Sequence, residues 1–325
     1  MNPGFAGRWR PWLLAACAAV ATTSGCGAGF DPYNRLLSIR VLGIRSEPVR
    51  PAFGDMSTLS AAIYTPDDVP PASFEWSWCP VSPGPGVDCP FTSADLSQMA
   101  GVPITLELGS TPEVTFTHNV PPEILTALCA GQPNFPAPDC ADGYPIQLRL
   151  RVCTEADPAA CHDAAHAVDA VRPMRLRFRA EDQANANPTI DGLYAVVDGV
   201  NQPLAPALVL KRHQETVIGA SIDIDLDSEP YRGKDDQGDP ADLFERLNLS
   251  WFVESGSTDH MRTAYIKDQV TVENATRIKW TPAYQKDEKD SPRADHDNSK
   301  VVVIIRDDRD GVGWAQGAVT LEPTP

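Results

Sequence analysis

An all-β fold is predicted for this 325-residue sequence by three observations. Apolar residues alternate with polar ones in short runs bounded by Pro, Gly and Asp, the pattern of strands with one buried face. Helical periodicity is nearly absent. A tryptophan stands inside an early alternating run of each half: Trp76 and Trp78 in "FEWSWC", Trp251 in "LNLSWFV". Two successive sets of about seven short strands, each with an inward Trp, fit two tandem immunoglobulin-like β-sandwiches. The loops of the first are expected to be Pro-rich and pinned by disulfides.

In the first half, expected over residues 38–180, Ile39 to Ile44 reads as the opening strand. After the turn Pro51 to Asp55, the alternation of Leu59, Ala61 and Ile63 reads as the second. "FEWSWC" puts Phe74, Trp76 and Trp78 on one face. Ile104 to Leu108 and Val114 to Thr117 follow, then Ile146 to Cys153 with Ile146, Leu148, Leu150 and Val152 sharing a face. Met174, Leu176 and Phe178 close the set. Ser93 to Ala100 and Pro122 to Cys129 can form short helices, with Ser93 as N-cap, Pro122 at the first helical position, and Gly101 and Gly131 as stops. Fifteen of the 31 prolines lie between Pro66 and Pro145, which predicts irregular connections there.

The polar run Glu181 to Pro188 marks a boundary, and a second sandwich is expected over residues 181–325. Its clearest strands are Thr216 to Leu226, Leu247 to Val253, Arg277 to Trp280, Val301 to Ile305 and Trp314 to Leu321. Val301 to Ile305 does not alternate, which implies a strand covered on both faces. Asp307 to Gly311 reads as a hairpin turn with Gly311 at positive φ.

The N-terminus predicts export. Met1 to Arg10 carries Arg8 and Arg10 and no acid, and Pro11 to Ala21 is an apolar run too short to span a bilayer, so residues 1–25 read as a signal peptide. Thr23-Ser24-Gly25-Cys26 resembles the lipobox of bacterial lipoproteins, although Thr23 stands where Leu is usual. That resemblance implies cleavage before Cys26 and acylation of its sulfur, an anchor that holds a protein to a membrane without crossing it; the competing reading is an ordinary signal peptide cleaved near Ala21 or Gly25, which leaves Cys26 an unpaired or disulfide-bonded thiol. Gly27, which is not Asp, points by the same resemblance to the outer membrane. Residues 26–37 would be a flexible tether. Six cysteines remain: Cys79, Cys89, Cys129, Cys140, Cys153 and Cys161. They fall into three close pairs, so local bridges are favoured in an oxidising compartment.

The formal charge of −17 argues against a nucleic-acid partner. Three weaker sites are legible. Cys153, Cys161, His162 and His166 form C-x7-C-H-x3-H, a poor match to the spacing of structural zinc. Asp223, Asp225 and Asp227 alternate with Ile222, Ile224 and Leu226, so on a strand three carboxylates would share a face and could hold Ca²⁺. The competing reading is a charged solvent face. His118, His162, His166, His213, His260 and His296 are scattered, outside any recognised catalytic motif.

The segments "RVLGIRSEP…FGDMSTLSAAIY" and "NANPTIDGL…LNLSWFVESG…RT…IKWTPA…VVVIIRDDRDGVGW" resemble bacterial Ig-like domains of predicted myxobacterial outer-membrane lipoproteins. The resemblance rests on turn and core residues and implies fold and location, with no catalytic residue. The expected function is therefore a non-enzymatic, lipid-anchored envelope protein in adhesion, surface assembly or recognition of a protein or glycan partner, without cofactor. The alternatives are a calcium- or glycan-binding module and a hydrolase with an unrecognised site.

Overall fold

The computed structural model describes residues 33–66, 70–81, 87–131, 137–155, 167–179, 182–235, 237–283 and 297–322. From Asn34 onward the chain forms one compact unit. Its first half contains β1 (Arg40–Glu47), β2 (Met56–Tyr64), β3 (Ser73–Cys79), α1 (Ser93–Ala100), β4 (Glu107–Gly109), β5 (Val114–Thr117), α2 (Pro122–Cys129), β6 (Tyr144–Cys153) and β7 (Ala167–Leu176). The sheets are β1-β2-β5 and β4-β3-β6-β7. In immunoglobulin lettering these are A-B-E against C′-C-F-G. On β3, Phe74, Trp76 and Trp78 face inward and pair with Val152, Leu150 and Leu148 of β6. The indole N–H groups of Trp76 and Trp78 donate to Thr111 O and Thr105 O, at 2.9 and 2.8 Å, which satisfies the polar end of each buried ring.

The second half contains β8 (Gly192–Val197), β9 (Val200–Pro203), β10 (Val209–Leu210), β11 (Thr216–Ser221), α3 (Ile224–Asp227), β12 (Pro230–Lys234), β13 (Pro240–Phe244), β14 (Leu247–Val253), β15 (Ser257–Thr258), β16 (Arg262–Tyr265), α4 (Val272–Thr276), β17 (Arg277–Thr281), β18 (Asn298–Arg306) and β19 (Val312–Leu321). Its sheets are β10-β19-β18-β14-β16 and β15-β17-β11-β8-β9, with β12-β13 a separate hairpin. The first is A′-G-F-C-C′, with β10 running parallel to β19; in the second, β17, β11 and β8 are E, B and A. Both halves are immunoglobulin-like sandwiches. Trp251, fully buried on β14, stands on the C strand.

Two disulfides pin the loops of the first sandwich, Cys79–Cys89 and Cys129–Cys140. Cys153 is also disulfide-bonded; Cys161 lies outside the described residues.

Several local expectations are corrected. The cap of α1 is Thr92 rather than Ser93: its hydroxyl accepts from Asp95 N–H and the Asp95 carboxylate accepts from Thr92 N–H. The strand expected over Ile104 to Leu108 shrinks to Glu107–Gly109, while Ile104 and Leu106 still enter the core. Both helices also feed that core, through Leu96, Leu125 and Leu128. In the turn after β18, positive φ falls on Asp310 rather than Gly311. Gly311 is required for closeness instead, since a Cβ there would lie 1.9 Å from Asp307 Oδ2. Part of the segment expected as a tether, Asn34 to Leu36, is built into the folded body. Asn34, Arg35 and Leu36 are buried, Leu36 N–H and Val253 N–H bond to Val253 O and Asn34 O, and the Arg35 guanidinium donates to Gly256 O and Glu254 O.

The two sandwiches share a third apolar core. Leu36, Leu42, Ala62 and Tyr64 pack on Phe252, Val302, Ile304 and Val312. Because β18 turns Val301, Val303 and Ile305 into its own sandwich and Val302 and Ile304 toward the other, both of its faces are dry. At one end of this junction the 307–311 turn carries a buried ionic network. Arg50 donates to Arg309 O at 2.9 Å and Asp142 at 2.7 Å and faces Asp310 at 3.3 Å. Arg309 meets Glu245 at 3.0 Å and Asn185 Oδ1 at 3.2 Å. Asn187 spans the joint, donating to Ser46 O and accepting from Val312 N–H.

His118 is fully buried beside Phe53. Burial lowers its pKa from 6.5 to about 4, against the opposing pull of the Arg177 backbone and Asp55. The folded ring stays neutral where the unfolded one takes a proton, so this contribution is complete above pH 6.5 and is lost as pH falls toward 4. The shift corresponds to about 3 kcal/mol. Wild type should lose about that much more stability than His118→Phe between pH 6.5 and 4, measured by urea unfolding.

Candidate functional site

Apart from the disulfide cysteines, the residues singled out from sequence do not converge among the described residues. Cys26, His162, His166 and His296 lie outside the described residues. Cys153 is bridged and so is no free thiolate for zinc. His213 is exposed, at φ 57°.

The three aspartates do not line a strand. β11 stops at Ser221, and Asp223 caps α3, its carboxylate accepting from Leu226 N–H. Short carboxylates compete for backbone donors and favour this role over extended pairing. Asp225 is left exposed, while Asp227 is buried and accepts from the Thr189 amide and hydroxyl at 2.9 and 3.2 Å. Burial raises the Asp227 carboxyl, with the Thr189 bonds opposing. Among the described residues no three His, Cys, Asp or Glu side chains converge as a metal centre. The Ca²⁺ expectation loses the shared face it rested on.

A cleft of about 650 Å³ lies on the second sandwich, within the range of ligand sites. Its position follows from strand alternation. In β17, Ile278 and Trp280 enter the core, so Arg277 and Lys279 point outward. Across β11 and β8, Val217 pairs with Lys279 and Val196, giving an apolar strip beside the two cations. The wall is α4 with Glu273 and Asn274, and the rim is the turn Asp259 to Arg262.

The polar groups are held in place. Arg277 donates to Tyr194 Oη at 3.0 Å and pairs with Glu273 one helical turn back. The Tyr194 hydroxyl is the main reason the Arg277 guanidinium binds its proton more tightly than usual. Lys279 Nζ meets Glu215 at 2.9 Å, which raises its ammonium in the same way. Asp259 accepts from Lys279 N–H at 2.9 Å and faces His260 at 3.2 Å. The Tyr194 ring lies across Gly219, where a Cβ would fall 2.4 Å from it. Arg262, Arg277 and Lys279 are balanced by Asp259, Glu273 and Glu215, so this region is close to neutral on a chain of charge −17.

The sequence gives half of this cleft. The alternation in "TRIKW" shows that Arg277 and Lys279 share an outward face; what it lacks is any sign that β16, α4 and the Asp259 turn close around them.

No helix among the described residues is long and apolar enough to cross a membrane. No protein-family model and no curated protein matches the chain. Solved structures similar to it include the two tandem V-type regions of VCBP3, a v-region-containing chitin binding protein. It has 10% identity and a TM-score of 0.29, over 87% of this chain and 100% of that one. The Ig1-2 module of the Drosophila receptor protein tyrosine phosphatase DLAR has 9% identity and a TM-score of 0.23, over 88% and 100%. Three N-terminal domains of the bacteriophage RB49 Highly Immunogenic Outer Capsid protein have 10% identity and a TM-score of 0.20, over 89% and 71%. The immunoglobulin-like assignment rests on the strand order of the two sandwiches themselves.

Proposed function

We propose that the protein is a non-enzymatic envelope lipoprotein, exported and anchored in the outer membrane through Cys26, that presents its double sandwich to a partner. The observation that carries this reading is the joining of the two sandwiches through a dry core and a buried ionic network. A binding element displayed on such a body keeps a fixed orientation and avoids part of the ordering cost of association. The disulfides fit an oxidising compartment.

Mass spectrometry of the mature protein tests the anchor. The expected result is an N-terminus at Cys26 carrying acyl mass, with partition into detergent. A mature chain that starts elsewhere, without acyl mass and wholly in the aqueous phase, overturns it.

A further inference from the structure

We infer that the cleft between β17, α4 and the Asp259 turn is a binding site for an uncharged saccharide chain. The inference rests on the reading above only in taking the protein as a binding module. Three properties select this chemistry over other ligands.

The first is charge. Arg277 is paired with Glu273 and Lys279 with Glu215 beside the cleft, and Arg262 and Asp259 add one charge of each sign, so a polyanion or polycation meets about as much repulsion as attraction. A polyhydroxylated neutral ring uses both signs: each hydroxyl donates to a carboxylate and accepts from a guanidinium or ammonium.

The second is order. Arg277 is held by Glu273 and Tyr194, and Asp259 by the Lys279 amide, before any ligand arrives. Hydrogen bonding to hydroxyls is directional, and groups fixed in advance lose less rotamer entropy on binding.

The third is the floor. Val196 and Val217 form an apolar strip with the Tyr194 ring beside it, laid across the sheet because Gly219 has no side chain. Such a surface takes the C–H face of a sugar. Peptide ligands anchor through large side chains in desolvated pockets, whereas this cleft is open and its apolar lining, Val196, Val217, Ala264, Val270 and Ile278, is shallow and spread along the sheet and its rim. Asn274, exposed on α4, adds an amide that both donates and accepts.

The test uses the whole chain in its Cys26→Ser form, so failure of the anchoring reading leaves it standing. Cellohexaose, chitohexaose, maltohexaose and xylohexaose are the neutral probes, with polygalacturonate and hyaluronate as acidic ones, measured by calorimetry. At least one neutral hexasaccharide is expected to bind. Asn274→Ala and Arg277→Ala should each weaken it about five- to tenfold, the loss of one or two hydrogen bonds. Glu113→Ala, in an exposed turn of the first sandwich, should not change it. Asn274 is exposed and its side chain caps nothing, so that variant keeps its fold and its unfolding midpoint verifies this. No neutral probe binding at millimolar concentration, tighter binding of the acidic polysaccharides, or full affinity in both cleft variants would overturn the assignment.

Discussion

Arg309→Ala is expected to destabilise the protein by about 3–5 kcal/mol at about pH 9, where Glu245 is ionised, the range for removing one partner of a buried ion pair. Arg309 is 2% exposed and Glu245 1% exposed. Besides Glu245, the guanidinium donates to Asn185 Oδ1 and Ala184 O, so its loss strands the Glu245 carboxyl and two acceptors where water cannot replace it. Burial and the nearby Asp307 push Glu245 up from 4.5 to about 8, and Arg309 is the group that pulls it down. Its stabilising contribution is therefore full below pH 4.5 and lost as pH rises through 8. Without Arg309 that carboxyl is raised further, and the deficit of the variant should widen between pH 5 and 9. Urea unfolding at both pH values measures it. The double variant Arg309→Met with Glu245→Leu should cost less than Arg309→Ala alone, because it leaves no unpaired charge behind. Equal losses for the two, with no pH dependence, would show the pair to be mere packing.

The fold was legible where one residue's environment depends on its own strand. The alternations through Phe74-Trp76-Trp78, Ile146 to Val152 and Leu247 to Val253 each mark a buried face, and those faces form the two cores. The strand pattern misleads where a side chain outcompetes it. Asp223 draws its own backbone into α3, although Ile222, Ile224 and Leu226 keep period 2 on paper. The joint between the sandwiches left two traces that local reasoning could not connect. Val301 to Ile305 announces a second dry face without saying what covers it, and the polar run Glu181 to Pro188 reads as a boundary with no sign that Asn185 and Asn187 clamp the two halves. Arg50, Arg309 and Glu245 carry charge in the sequence and give no sign that they are buried. The cleft was hidden for the same reason, since Arg277, Asp259 and Asn274 meet only after β15, β16 and α4 are placed around one edge.

Ile304→Asp separates a fused double sandwich from two independent ones. Were the outer face of β18 in water, a polar substitution there would change stability by about 0.5 kcal/mol or less. Ile304 is instead fully buried among Leu36, Leu42, Tyr64 and Val312. The substitution removes the packing of a buried isoleucine and sets a carboxylate in an apolar layer, with a joint cost expected at about 4 kcal/mol or more. Ile304→Val, which keeps shape and polarity, should cost about 1 kcal/mol and verify that the site tolerates change. The form of unfolding is as informative as its midpoint. With β18 shared between two cores, wild type should melt in one calorimetric transition, because neither sandwich can lose its packing without exposing the face it shares. Ile304→Asp should either lower that transition as a whole or split it in two, the first half melting apart from the second. A wild type that already melts in two steps, with the second unmoved by Ile304→Asp, would mean that the third core contributes contact without coupling. The fixed orientation on which display of the cleft depends would then have no energetic basis.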